Sequence, residues 1–236
     1  MQNINSYIYT KQLKNKPVIS VKDKIRQAIK YRKRGSIFFA SDFISKGTLN
    51  SVNRALSELA EDGAIIRLAT GIYCRPEIDE LFGLGVVYPG LDEIAHAIAS
   101  RDGARIVPTG TYAQNRLGLS TQIPMNFVFL TDGSPRRIKA YNGKGILFKR
   151  AAPKIFKFKN SLALMLTLAL KDIGEGNLSD EQREVITRLI RKEPETTFLS
   201  DYSLMPEWIR SLINKMYEDD SISTLGNQKT TIQSNR

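Results

Sequence analysis

The sequence predicts an α+β protein of two domains, on three observations. The first is a segment in which a short helical signal, a glycine, a longer amphipathic helix and a hairpin follow one another between Ser41 and Pro76. The second is a run of short strand-like pieces between Arg105 and Arg150, separated by strong turn signals. The third is a set of helical periodicities that closes the chain after Asn160. With 236 residues, of which 42% are apolar and 25% charged, the chain is long enough for two cores. The expected division is 1–78, 79–220 and a polar, disordered tail at 221–236.

Met1 to Ile19 is polar and lysine-rich and is broken by Pro17, which suits either an extended arm or a loosely docked helix. Ser20 then caps a helix with Val21, Ile25, Ala28 and Ile29 inward. Its last turn is Lys30-Tyr31-Arg32-Lys33-Arg34. Cations there complement the helix dipole, or they sit on a phosphate backbone; both readings stand. Gly35 ends the helix, and Ile37-Phe38-Phe39 is expected to be a first short strand.

Ser41-Asp42 opens a short helix ahead of Phe43 and Ile44, and Gly47 breaks it. Thr48 is the expected N-cap of the next helix, whose apolar stripe is Leu49, Val52, Leu56 and Leu59, with Gly63 as its stop. Ile65 to Leu68 and Ile72 to Arg75 flank Ala69-Thr70-Gly71 as a hairpin. Helix, tight turn, helix and an arginine-bearing hairpin is the order of a winged helix-turn-helix. Pro76 to Glu80, acidic and proline-led, marks the expected domain boundary.

In the second domain, Leu91 to Arg101 reads as a helix with Leu91, Ile94, Ala95 and Ile98 inward and Asp92 and Glu93 in its first turn. The glycines at 83 and 85 lack the spacing of a dinucleotide-binding loop. Arg105–Val107, Asn126–Thr131, Arg137–Tyr141 and Ile146–Arg150 are expected to form a small antiparallel meander. Arg136, Arg137, Lys139, Lys144, Lys149 and Arg150 would then make one basic edge. Such an edge extends a nucleic-acid footprint, receives an acidic partner, or simply discourages edge-to-edge pairing. Helices follow from Asn160 or Ser161 to about Ile173, from the capping box Ser179-Asp180-Glu181-Gln182, and from Pro206.

Charge narrows the function. The net charge is +11, and it is uneven. Residues 1–80 carry 14 Lys/Arg against 8 Asp/Glu, residues 81–150 carry 9 against 4, and residues 151–236 balance at 12 each. A polyanion would dock on the first two-thirds. Enzyme chemistry is poorly provided for: one histidine, His96, and one cysteine, Cys74, would have to serve every catalytic set. No cofactor-binding loop or metal-ligand spacing is present, so no cofactor, metal or catalytic residue is expected. The apolar run Leu162 to Leu170 is too short to span a bilayer, which takes about 20 residues. A cytoplasmic protein without membrane contact is the expectation.

On the predicted recognition helix, the face opposite the apolar stripe carries Thr48, Asn50, Ser51, Asn53, Arg54 and Ser57. Arg54 is suited to bidentate reading of guanine and Asn50 or Asn53 to adenine, while Thr48 and Ser51 suit phosphates. Arg67, Thr70 and Arg75 in the hairpin, with Arg32, Lys33 and Arg34, would add backbone or minor-groove contacts.

The segment GSIFFASDFISKGTLNSVNRALSELAEDGAIIRLATGIYCRP resembles the winged-helix region of AbiEi-like antitoxins of type IV toxin–antitoxin systems. TGTYAQNRLGLSTQIPMNFVFLTDGSPRRI resembles the segment that follows it in a subgroup of those proteins. The two cover roughly residues 20–150. The resemblance implies a bacterial transcriptional repressor that autoregulates its operon. It also implies a role opposing a nucleotidyltransferase-type toxin without a stable complex. Double-stranded DNA bearing an inverted repeat, occupied by a pair of modules, is the expected partner. The alternative is an interaction module that uses the same helix for a protein or RNA partner.

Overall fold

In the computed structural model, residues 19–218 except Leu84 are described. The chain is α+β and divides into two compact units that part between Gly90 and Leu91. The arm expected at the N-terminus and the tail expected at 221–236 lie outside the described residues.

The first unit opens with α1 (Val21–Lys30), capped by the Ser20 hydroxyl, which accepts from the Asp23 amide at 3.1 Å. The helix ends at Lys30. Residues 31–34 therefore form the turn beyond it, and dipole complementarity explains Lys30 alone. β1 (Ile37–Phe39) leads into a 3-10 helix (Ala40–Lys46) and then α2 (Leu49–Glu61). β2 (Ile66–Ala69) and β3 (Ile72–Cys74) form a hairpin turned at Thr70-Gly71, where Gly71 adopts φ +71°. That left-handed geometry carries no Cβ penalty only for glycine. β1 pairs antiparallel with β3, giving the sheet order β1-β3-β2. Ile25, Phe38, Phe43, Val52, Leu56 and Leu59 are fully or almost fully buried where α1, α2 and the sheet meet. Phe38 stacks edge-on against Phe43 with ring centres 5.6 Å apart.

Two expectations fail in this unit. Leu49 is 56% exposed, and Ala55 completes the buried stripe with Val52, Leu56 and Leu59. At about 100° per residue, Leu49 falls on the flank of that stripe, and it precedes the first full turn. The acidic stretch after Pro76 is not a linker. Glu77–Asp79 (β4) pairs antiparallel with Gly85–Val87 (β5), so this hairpin belongs to the first unit. Leu81, Phe82, Val86, Val87 and Tyr88 are exposed on it.

The second unit contains α3 (Leu91–Arg101), β6 (Ile106–Thr109), α4 (Thr111–Arg116), β7 (Asn126–Thr131), β8 (Arg136–Lys139) and β9 (Gly145–Arg150). Helices α5 (Ser161–Ile173), α6 (Asp180–Ile190), α7 (Glu195–Leu199) and α8 (residues 207–218) follow. The sheet is not an antiparallel meander. Its order is β6-β7-β9-β8, and β7 runs parallel to β9. Phe127 to Leu130 and Ile146 to Phe148 are near-continuous apolar runs suited to the sheet centre, while the basic β8 takes the edge. α3 packs against β9 on one face, where His96 meets Phe129. Leu164 and Leu168 of α5 pack with Val107 and Leu130 on the other. α5 is apolar nearly all round and forms the centre of the helical core with Ile186, Ile190, Phe198, Ile209 and Ile213.

Candidate nucleic-acid interface

The N-terminus of α2 is fixed locally. The Thr48 side chain accepts from the Ser51 amide at 3.3 Å, and the Ser51 hydroxyl donates to the Thr48 carbonyl at 2.8 Å. The two hydroxyls also bond each other at 3.1 Å. Thr48 and Ser51 thus serve the helix cap, and Ser51 is half-buried. Asn50, Asn53 and Arg54 are exposed and Ser57 is half-buried. Spaced at i, i+3, i+4 and i+7, they share one face directly opposite Val52, Ala55, Leu56 and Leu59. Arg54 is 84% exposed and its Nε donates to Glu58 at 3.0 Å. Such an exposed ion pair is weak and is readily exchanged for another anion.

Behind this face, α1 is clamped to α2. Lys22 reaches Asp62 at 2.9 Å and Glu58 at 3.4 Å, and Arg26 reaches Asp62 at 3.3 Å. Hydrogen bonds from Arg54 and Lys22 hold the Glu58 carboxyl below its ordinary value, and Lys22 does the same for Asp62. The hydrogen bond to Asp62, with that to Glu58 and the two charges, in turn raises Lys22.

The remaining expected contacts divide. Arg67 and Thr70 are exposed on the β2–β3 hairpin, where the register slips between Arg67 and Ala69. Lys33 and Arg34 are exposed in the turn after α1. Arg32 and Arg75, by contrast, are spent inside the unit. The Arg32 guanidinium pairs with Asp42 at 3.1 Å and lies over Phe38 and Phe43 at 5.2 and 5.3 Å. Arg75 donates to the Arg32 carbonyl. Sequence reasoning missed this pair, and Asp42 ten residues beyond Arg32 was the signal for it. It also missed Ile44 and Leu49, apolar side chains 64% and 56% exposed, Leu49 lying beside the polar face of α2.

The second basic surface is not one edge. By register, Arg137, Lys139 and Lys149 share the sheet face of Val128 and Leu147, and all three are exposed. Arg136 lies on the opposite face, paired with Asp102 and over the Phe148 ring at 5.5 Å. Arg150 shares that opposite face by register, and Lys144 lies over Tyr141 at 5.3 Å.

Cys74 is fully buried, and burial pushes its thiol up to about 11, so it stays protonated at neutral pH. His96 is 56% exposed, with Asp92 at 3.7 Å. Among the described residues no group of three His, Cys, Asp or Glu is placed to hold a metal ion. No helix among them is long and apolar enough to cross a membrane. No curated protein matches the chain. Residues 24–198 match a family described as "Family of unknown function (DUF6088)".

Proposed function

The chain belongs to the DUF6088 family, whose function is unknown, and we propose that it is a sequence-specific DNA-binding repressor built on a winged helix-turn-helix. α1, the 3-10 helix and α2 form the helical part, and the β2–β3 hairpin is the wing. One observation carries this reading. Asn50, Asn53 and Arg54 stand exposed on the face of α2 that its buried stripe does not use, on a helix held by a cap at one end and a salt-bridge clamp at the other. Arg54 reads a guanine edge and the asparagines read adenine in the major groove. Lys33, Arg34, Arg67 and Thr70 hold phosphates. The net charge of +11 supports a polyanionic partner.

The resemblance to AbiEi-like antitoxins supports the biological setting. The protein represses its own operon as a pair of copies on an inverted repeat in double-stranded DNA. It opposes a nucleotidyltransferase-type toxin without a stable complex, in the cytoplasm.

Arg54→Ala tests the reading helix. It is expected to cost about 1–3 kcal/mol at the guanine it reads and to relax discrimination there. Equal loss on every duplex would reduce Arg54 to a backbone contact. A second reading, a protein or RNA partner on the same helix, is favoured by the outward Ile44 and Leu49. A flat dependence of affinity on salt would support a protein partner over DNA.

A further inference from the structure

The first unit contains a half-open cavity of about 320 Å³ beside α1 and the C-terminal end of α2. Its floor is aliphatic: Ile29, Leu59 and Ile65 are buried there, and Ile78 of β4 lies at its exposed rim. Four cations surround that floor, Arg26, Lys30, Arg34 and Arg75, and no Asp or Glu is among the described residues that line it. Two of the four are already engaged. Arg26 bonds Asp23 at 2.9 Å and Asp62 at 3.3 Å, and Arg75 donates to the Arg32 carbonyl. Lys30 and Arg34 are exposed and make no ion pair among the described residues. The cavity therefore joins an apolar surface to two cations, Lys30 and Arg34, without an ion-pair partner among the described residues.

We propose that this cavity binds a small amphipathic anion, with an aliphatic body on Ile29, Leu59, Ile65 and Ile78 and a carboxylate or phosphate head held by Lys30 and Arg34. The volume is at the lower end of the range for small-molecule sites. A guanidinium and an ammonium lining one cavity suit a carboxylate or phosphate head. The lining argues against a nucleotide. It offers no aromatic ring to stack a base and no amide or carboxylate side chain to read one. This site stands apart from the polar face of α2 and shares only Arg34 with the proposed DNA contacts, so its test rests on Lys30 and Ile78.

The test uses the full-length protein with octanoate and octyl phosphate as probes and octyltrimethylammonium as the cationic control. Calorimetry gives stoichiometry, and isoleucine methyl resonances give location. Both anions, or one of them, are expected to bind saturably with one site per chain and to shift the methyls of Ile29, Ile65 and Ile78. The cation is expected not to bind. Lys30→Gln is expected to weaken binding roughly tenfold, the loss of one charge-assisted hydrogen bond. Ile78→Glu, at an exposed rim position, places a carboxylate against the anion and is expected to weaken it further. In both variants, unshifted methyl resonances of the isoleucines outside the cavity confirm that they fold. Absence of saturable binding by either anion, equal binding of the cation, or unchanged affinity in both variants would overturn the proposal. Loss of DNA binding alone would leave it standing.

Discussion

Arg32 and Arg54 differ in what their guanidiniums already touch. Arg32 is held between Asp42 and two phenylalanine rings, whereas Arg54 is open to solvent apart from one carboxylate four residues away. Only the second can change partners cheaply. The same contrast separates Arg75 from Arg67. Removing the exposed cations Arg67 or Lys33 should therefore weaken DNA binding uniformly across sequences and reduce the slope of log affinity against log salt by about 1 each. Titrations at several salt concentrations check this. In the second unit the decisive residue is Asp201, which is buried and accepts from the amides of Lys159 and Asn160 at 2.7 and 2.6 Å. Asn160 in turn caps α5 by accepting from Ala163 at 2.9 Å. Asp201→Ala leaves two amides without their acceptor at the mouth of the central helix. It should cost about 2–4 kcal/mol, measured by urea unfolding.

At the scale of elements, the α1–α2 clamp makes stability depend on pH. Glu58 and Asp62 are depressed by their cationic partners, so they stabilise the folded unit above their unfolded values near about 4. That contribution disappears as pH falls through the lower folded values. Lys22 is raised, and its contribution is complete below its ordinary value and lost only as pH rises past it. Melting temperature should therefore fall from about pH 5 to about pH 3, and Asp62→Asn should flatten part of that fall. An acid limb identical in the variant would show that the clamp adds nothing.

The helices were the most legible elements. Ser20, Thr48, Asn160 and Ser179 each cap the helix they precede, because side-chain capping is a local interaction written within four residues. The β2–β3 hairpin was legible from turn chemistry. The mixed order of the larger sheet was not. Parallel pairing of β7 with β9 is decided by burial of two apolar runs and by the crossover of β8 to the far side, neither of which a turn motif encodes. At the candidate site, the polar face of α2 followed from periodicity. The internal use of Arg32 and Arg75 depends on contacts that span the unit.

For the molecule as a whole, two compact units with separate cores carry different loads. The first holds the polar helix face, the hairpin arginines and the cation-lined cavity. The second holds a mixed sheet with Arg137, Lys139 and Lys149 exposed on one face. The proposed repressor role requires a preference for the protein's own operator over bulk DNA. The most direct measurement is the affinity of the purified protein for a duplex from its own upstream region, against a scrambled duplex at physiological salt. A preference of roughly 10³-fold or more is expected. Equal, weak and salt-sensitive binding to both duplexes would contradict the DNA-reading role of α2.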